Sequence, residues 1–477
     1  MGPVIPPVSL IAELTMPRQP KPLNPNCPKA AALGARMREL RRATGLSLAA
    51  LAEGTGSDRR RLGEIESGYA VPTGGLLARV DRALDAGDQL TTLLDDVTAE
   101  HRQALRVAHA SRRRHRVLQH SGRGVWEEIR LGWEYEDPVL RREFMRGMGA
   151  IAGTTLLGRL PDSCLAPERG ASSPTFPSAL AALTANFRQL DNLAGPASVQ
   201  KTAIEHYYRI SRYLELAHSD AEFRALAVVC AEAAELAAWL AFDTEQYGEA
   251  ARWCRRSADF AKAGGNAGLH AYGLGRMSRL LSHCGEHQDA LGFAEKADAI
   301  GRRHASARTR SWLGATRAYV HACLRDAPRC LRDLDEASTL LSLNEPAGDE
   351  PWLDFYSQAH LAKWEGHCRL RLGQAKPARE VFQRTLAVWN PASVRERAEV
   401  TGALADALIQ EGEVPQASEL VGEAYEIALA TGSARNQRTI TMLRTMLEPW
   451  RNEPSVRQLD ERMLAARRAC SEASRPL

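Results

Sequence analysis

In the second half of this 477-residue chain, a set of three small residues recurs five times. The central member is Ala250, Ala290, Cys330, Ala378 and Ala417, at spacings of 40, 40, 48 and 39. Seven residues after each stands Ser257, Ala297, Ala337, Thr385 or Ala424, and twelve before each stands Ala238, Ser278, Ala318, Gly366 or Ala405. Seven residues are close to two helical turns, so the first two positions share a face. Twelve residues back lies on a preceding helix that must approach that face closely. The pattern therefore predicts antiparallel helix pairs stacked one on the next, since a single pair cannot bury its own apolar face. Ala and Leu recur at helical spacing, and Pro and β-branched residues are sparse, so the chain is expected to be all-α. Two further helices, near 178–193 and 199–218, are expected to precede the array. The tail from 434, containing TMLRTMLEPW, is expected to cap its open end.

These positions, over about residues 225–435, resemble tetratricopeptide repeats with lengthened helices or loops, because the period exceeds the family's roughly 34 residues. The aromatic of the family's eleventh position is missing in most copies. The resemblance implies a right-handed α-solenoid whose concave face is lined by the first helix of each repeat. Matching positions place Trp239, Tyr272, Arg279, Trp312, Tyr319, His360, Lys363 and His367 on or near that face. Aromatics beside cations suit a peptide, a partner protein or a small ligand with a carboxylate. The same aromatics also suit the core between repeats.

Upstream, between residues 29 and 97, short apolar runs (Leu33, Met37, Leu40; Leu48, Leu51; Leu62, Ile65; Leu77, Val80, Leu84) are separated by Gly45, Gly56 and Gly68. Short helices joined by tight glycine turns are the sequence form of a helix-turn-helix. Ser47 is placed to cap one helix and Asp58 (or Ser57) the next, which carries Arg59, Arg60 and Arg61 in its first turn. Leu51-Ala52, Gly56, Leu62, Ile65-Glu66, Gly68, Pro72 and Leu84 together resemble the lambda-repressor-like, XRE-type helix-turn-helix over residues 33–85. Ser57 departs from the family's small aliphatic, and Gly54 is a weak helix former. The resemblance implies that the helix begun by Asp58 enters the major groove, with Arg59 and Arg60 at base edges and Ser47, Arg61 and Glu64 beside them. The arginine fork suits guanine O6 and N7. A solvated cationic face is the alternative. Between residues 29 and 61, eight cations (Lys29, Arg36, Arg38, Arg41, Arg42, Arg59, Arg60, Arg61) oppose three acids.

Residues 100–123 hold seven arginines, Arg112, Arg113 and Arg114 among them, against Glu100 alone. This segment suits phosphate tracking or a solvated linker helix equally. Residues 1–28 hold eight of the 24 prolines, which predicts a disordered tail; Met16 is a second candidate start. The expected layout is thus 1–28 tail, 29–97 helix-turn-helix domain, 98–177 basic linker with connecting helices, and 178–477 repeat domain with its cap.

Within the linker, LRREFMRGMGAIAG (140–153) mimics a twin-arginine export signal. The apolar run between Arg146 and Arg159 is only twelve residues, too short to span a bilayer. Asp137-Pro138 instead reads as a helix start, with Phe144, Met148 and Ile151 on one face. A helix packed on the front of the array, linking the two halves, is the expectation.

The bulk numbers exclude little else. The net charge of +4 does not announce a nucleic-acid partner, and with only seven lysines the chain carries 55 arginines, a bias of GC-rich bacterial coding. Nine cysteines without CxxC pairs suit reduced thiols in a cytoplasmic protein. No uninterrupted 18-residue apolar stretch occurs, so no membrane association is expected. No GK[ST], GxSxG or HExxH occurs, so neither catalysis nor a cofactor is expected. His283, Cys284 and His287 in HCGEH lack an evident fourth metal ligand. The layout resembles transcription regulators of actinomycete-type bacteria. That resemblance implies a cytoplasmic homodimer on a two-fold-related double-stranded operator, with its repeat domain sensing a signal. A protein-interaction scaffold with a reduced or absent DNA role is the alternative.

Overall fold

A computed structural model describes residues 22–25, 27–120, 125–134, 176–343 and 350–473, and no strand occurs among them. The chain forms two compact units, 1–108 and 109–477. The stretch 140–164 lies outside the described residues, as do most of the Pro-rich tail and the side chains of Arg112 and Arg114.

The first unit contains α1 (Pro28–Ala43), α2 (Leu48–Thr55), α3 (Arg59–Glu66), α4 (Gly74–Ala83) and the start of α5 (Leu94–His120). Its core is Leu33, Met37, Leu51, Leu62, Ile65, Leu77, Val80 and Leu90, each nearly sealed from solvent. Local chemistry starts each helix. Ser47 Oγ accepts from Ala50 N–H, Asp58 Oδ1 from Arg61 N–H, and Thr73 Oγ1 from Leu76 N–H. Gly56 turns left-handed (φ 58°) between α2 and α3. The Glu100 carboxylate of α5 accepts from the Lys29 and Ala30 amides, at 2.8 and 2.9 Å, satisfying the N-terminus of α1. Asn24, which composition assigns to the tail, bonds the end of α3 through Ser67 O and Gly68 O.

The second unit opens with α6 (Val125–Glu134), α7 (Phe176–Ala194) and α8 (Gln200–Glu215). Six helix pairs follow: α9 (Asp220–Asp243) with α10 (Tyr247–Ala263), α11 (Ala267–Cys284) with α12 (His287–His304), α13 (Ala307–Cys323) with α14 (Ala327–Ser342), α15 (Gln358–Arg371) with α16 (Ala375–Ala387), α17 (Val394–Glu411) with α18 (Val414–Ala430), and α19 (Ala434–Met446) with α20 (Pro454–Ala473). All fifteen small residues of the sequence pattern are buried. They sit where paired helices touch; the Ser278 hydroxyl, for example, donates to Ala290 O at 2.8 Å.

The turn inside each of the first five pairs is one device repeated. The residue five before the central small position (Glu245, Gly285, Arg325, Gly373, Gly412) has positive φ. The next amide returns to the carbonyl five residues earlier: Gln246→Ala241, Glu286→Leu281, Asp326→His321, Gln374→Arg369 and Glu413→Leu408, at 2.8–3.0 Å. This is the Schellman closure of a helix C-terminus.

α9 is the central helix. An 18-residue window of it has mean hydropathy 1.8, enough to cross a membrane by length and composition, and 89% of that window is buried inside the unit. The array does not end open. It curls until the turn before α19 meets its beginning, where Ser433 Oγ and Arg435 Nε reach Asp243 Oδ1 at the end of α9, at 2.9 and 3.0 Å. Arg395 of α17 reaches Asn192 of α7 at 3.0 Å. The tail after 434 is therefore part of a closure as well as a cap.

Candidate nucleic-acid interface and ligand cavity

The exposed first turn of α3 presents Arg59, Arg60 and Arg61. Leu62 and Ile65 anchor the opposite face in the core. Arg60 Nε lies 3.1 Å from Glu64 Oε1, one turn on, and Ser47 is exposed at the start of α2. The other cations of this unit are less available. Arg41 forks onto the buried Glu66 carboxylate at 2.6 and 3.1 Å, and Arg38 joins it at 3.4 Å. Lys29 pairs with Asp96 and Arg36 with Glu39. Of the eight cations counted in the sequence, the α3 triplet, Arg42 and Lys29 are exposed, and of these Arg60 and Lys29 each have an acidic partner. Arg113, half-buried on α5, is the member of SRRRHR's arginine triplet whose side chain is described.

In the second unit a cavity of about 480 Å³ is lined by α7, α9, α11, the 351–357 turn and the N-terminus of α17. Trp239 is one of the lining residues. The indole N–H donates to Asp191 Oδ2 at 2.9 Å. Four guanidiniums surround the ring: Arg395 at 4.6, Arg276 at 4.7, Arg279 at 5.2 and Arg435 at 5.5 Å from its centroid. Such stacking uses the ring's negative face to offset crowded positive charge. Burial lowers the Arg279 pKa to about 10, against the pull of Glu399. Burial raises the Asp191 carboxyl, opposed by Arg395. Glu396 and Glu399 behave otherwise: burial opposes their ionisation, yet Lys363 and neighbouring cations hold both well below the usual range.

The residues expected on the concave face divide three ways. Trp239, Tyr272, Arg279 and His360 line this cavity. Tyr319 and His367 line a second, of about 210 Å³, with Arg371, Glu399 and Arg435. Trp312 and Lys363 line neither of these cavities. Trp312 is fully enclosed, its ring 4.4 Å from that of Tyr272, and so is core rather than a concave-face contact. Lys363 is buried between Glu396 (3.5 Å) and Glu399 (3.8 Å).

Residues the sequence reading passed over complete the cavity: Arg188, Asp191 and Asn192 from α7, Trp352 and Phe355 from the turn, and Arg395 from α17. One signal pointed to the turn. The spacing of 48 between Cys330 and Ala378, against 40 before it, marks about eight extra residues, and residues 351–357 fall within that longer interval. Nothing local marks Arg188 or Arg395, whose partners lie 47 and 203 residues away. HCGEH gathers no metal set. His283 faces the second cavity beside Tyr247 (3.3 Å), and no group of three or more His, Cys, Asp or Glu placed to hold a metal occurs among the described residues.

No curated protein matches the chain. Among solved structures it is similar to the crystal structure of Rap protein complexed with competence and sporulation factor, at 12% identity and TM-score 0.38, over 62% of this chain and 99% of that one. Residues 32–94, the span in which Ser47, Gly56 and Asp58 set the two short helices against each other, match the family described as helix-turn-helix domain.

Proposed function

We propose that this chain is a sequence-specific transcriptional regulator. In this reading it acts as a cytoplasmic homodimer on a two-fold-related operator. Its helical array binds a peptide, small ligand or partner protein and passes its state to the DNA-binding domain. The observation that carries the reading is the exposed Arg59–Arg61 triplet in the first turn of a helix fixed by the Asp58 cap and the Leu62 and Ile65 anchors. That turn is what a helix of this type offers to base edges. Ligand control requires that the ligand bind two states of the array unequally.

The test is a mobility-shift assay on DNA upstream of the chain's own gene, with genome-wide mapping of bound sequences and inspection for two-fold symmetry. Arg59→Ala with Arg60→Ala is expected to abolish selection among sequences; intact selection would refute the recognition role. Neutralising Arg112, Arg113 and Arg114 is expected to weaken all sequences together and flatten the salt dependence. Neutralisation is preferable to truncating 100–123, because Glu100 caps α1. A chain that selects no sequence at all would fit the scaffold alternative.

A further inference from the structure

Along the chain, α6 stands close to the DNA-binding unit. Residues 121–124 separate it from α5, whose Glu100 caps α1, whereas residues 135–175 separate it from α7. By its contacts, however, α6 belongs to the array. Ile129 has no solvent exposure and joins the array's core. Trp133 meets Phe293 of α12 edge-on at 4.8 Å, and Arg255 of α10 stacks on the same indole at 5.5 Å. Two glycines make the crossing with α10. A Cβ on Gly132 would fall 2.2 Å from Gly248 O, and one on Gly248 would fall 2.4 Å from Glu128 Cγ. Glu128 Oε1 also accepts from the Gly248 amide at 3.1 Å. Gln246 gives α10 no side-chain cap, so an acid from α6 meets the positive end of that helix.

This seat adjoins the place where the array closes. Residues 243–248 serve three sets of contacts in succession. Asp243 takes Ser433 and Arg435 from the far end of the array. Glu245 accepts from Tyr247 OH at 3.0 Å and pairs with Arg438 at 3.3 Å, and Glu245 and Tyr247 both line the smaller cavity. Gly248 holds Glu128. Between them the backbone is tightly wound: Glu245 is left-handed (φ 61°) and the Gln246 amide returns to Ala241 O at 2.8 Å. Such a turn has little freedom to absorb a displacement within itself, so a shift at Asp243 or Glu245 carries to Gly248.

We propose that α6 is the joint through which the array acts on the DNA-binding unit, and that the 243–248 turn governs how firmly α6 is seated. The assignment rests on the reading of the array as a sensing domain and names the route by which its state leaves it. A closed array keeps Gly248 where Glu128 and Gly132 meet it. Loosening the closure at Asp243 or Glu245 displaces the first turn of α10, and the glycine crossing, which has no side chains to bridge a gap, lets α6 go. The coupling is reciprocal, so releasing α6 also loosens the turn.

The experiment is amide hydrogen exchange of the full chain, resolved by segment, with a mobility-shift assay on the DNA it selects. Gly132→Ala favours helix formation yet blocks the crossing. It is expected to speed exchange of 125–134 about tenfold or more while α9 stays unchanged. Glu245→Gln alters the turn and no residue of α6, and is expected to speed the same segment about twofold or more. Arg397→Gln breaks a comparable pair elsewhere in the array, with Glu423 at 3.1 Å, and is expected to leave α6 as it was. Unchanged α6 exchange in Glu245→Gln, or equal acceleration in Arg397→Gln, overturns the role of the turn. Gly132→Ala is expected to change DNA affinity about fivefold or more. A released α6 with unaltered affinity overturns the joint. A chain that selects no DNA overturns the proposed function and the joint's part in it, while the exchange comparison, read without DNA, still decides whether the turn governs α6.

Discussion

Arg435 Nε lies 3.0 Å from Asp243 Oδ1, joining residues 192 apart at a point where Asp243 has no solvent exposure. The same carboxylate oxygen accepts from Ser433 Oγ, and Arg395 Nη1 stands 3.8 Å away. One acid therefore compensates two buried guanidiniums where the array meets itself. Asp243→Ala removes the acid they share, leaving Arg435 with Glu399 at 3.3 Å and Arg395 with Asp191 at 3.2 Å. The expected cost is about 3 kcal/mol, the low end of the range for breaking a buried ion pair, because each guanidinium keeps a second carboxylate. Urea unfolding of the full chain followed by tryptophan fluorescence checks it. A loss within the roughly 0.5 kcal/mol typical of surface changes would mean the closure contributes little.

Glu232 gives the array a pH dependence of known sign. It is buried on α9, and burial, against the opposing pull of Arg188, raises its pKa to about 7. Between the ordinary carboxylate value and about 7, the folded state holds a proton that the unfolded state has released. Stability from this group is therefore full at low pH and falls as pH rises towards 7, by about 3 kcal/mol in all. His206, whose pKa is lowered by burial, acts in the opposite direction below its ordinary value. The comparison must therefore be differential. Glu232→Gln is expected to lose the decline between pH 5 and 7 relative to the unaltered chain. Parallel stability profiles for the two would mean Glu232 is ionised throughout.

Much of this was readable in the sequence where the physics is local. Ser47 and Asp58 cap because an oxygen three residues ahead of an amide reaches it whatever the rest of the chain does. The small-residue pattern identified the helix contacts because close approach leaves no choice of side chain. Tertiary pairing was not readable. Arg38 and Arg41 looked like free positive charge until Glu66 arrived from another helix. Trp312 occupied the position of a concave-face residue, but helical phase gives direction, not depth, and the ring is sealed. The cavity needed the curvature that brings Arg395 to Asp191, and no spacing encodes it.

The five intrahelix-pair turns offer a paired test. Each needs a left-handed residue, yet Glu245 and Arg325 occupy two of the positions. A non-glycine residue costs about 1–2 kcal/mol there. Gly373→Ala, at φ 81°, is expected to lose about that much. Arg325→Gly gains the relief but forfeits the bond from Arg325 to Arg371 O and adds unfolded-state entropy. Its expected net change is within about 0.5 kcal/mol. Thermal melting of both variants decides. Equal losses would show that the turn residue is held by something other than its backbone angle.

Gly34 sets helix propensity against geometry. It lies inside α1, where alanine is better than glycine by about 1 kcal/mol, so propensity alone predicts that Gly34→Ala stabilises. A Cβ at this position would fall 2.2 Å from Ile65 O and 2.7 Å from the Glu66 carbonyl carbon. Both are backbone atoms of the helix that carries Arg59–Arg61, and neither can swing aside as a side chain would. Separating α1 from α3 would also pull Arg41 and Arg38 from Glu66. The expected outcome is a loss of about 3 kcal/mol or more in the first unit, at the upper end of overpacking costs. Under the proposed function, DNA binding should fall with it, while the stability of the second unit stays unchanged. Amide hydrogen exchange resolved by segment reads the two units separately. A Gly34→Ala chain with slower exchange in α1 and α3 would show that the helices do not cross this closely.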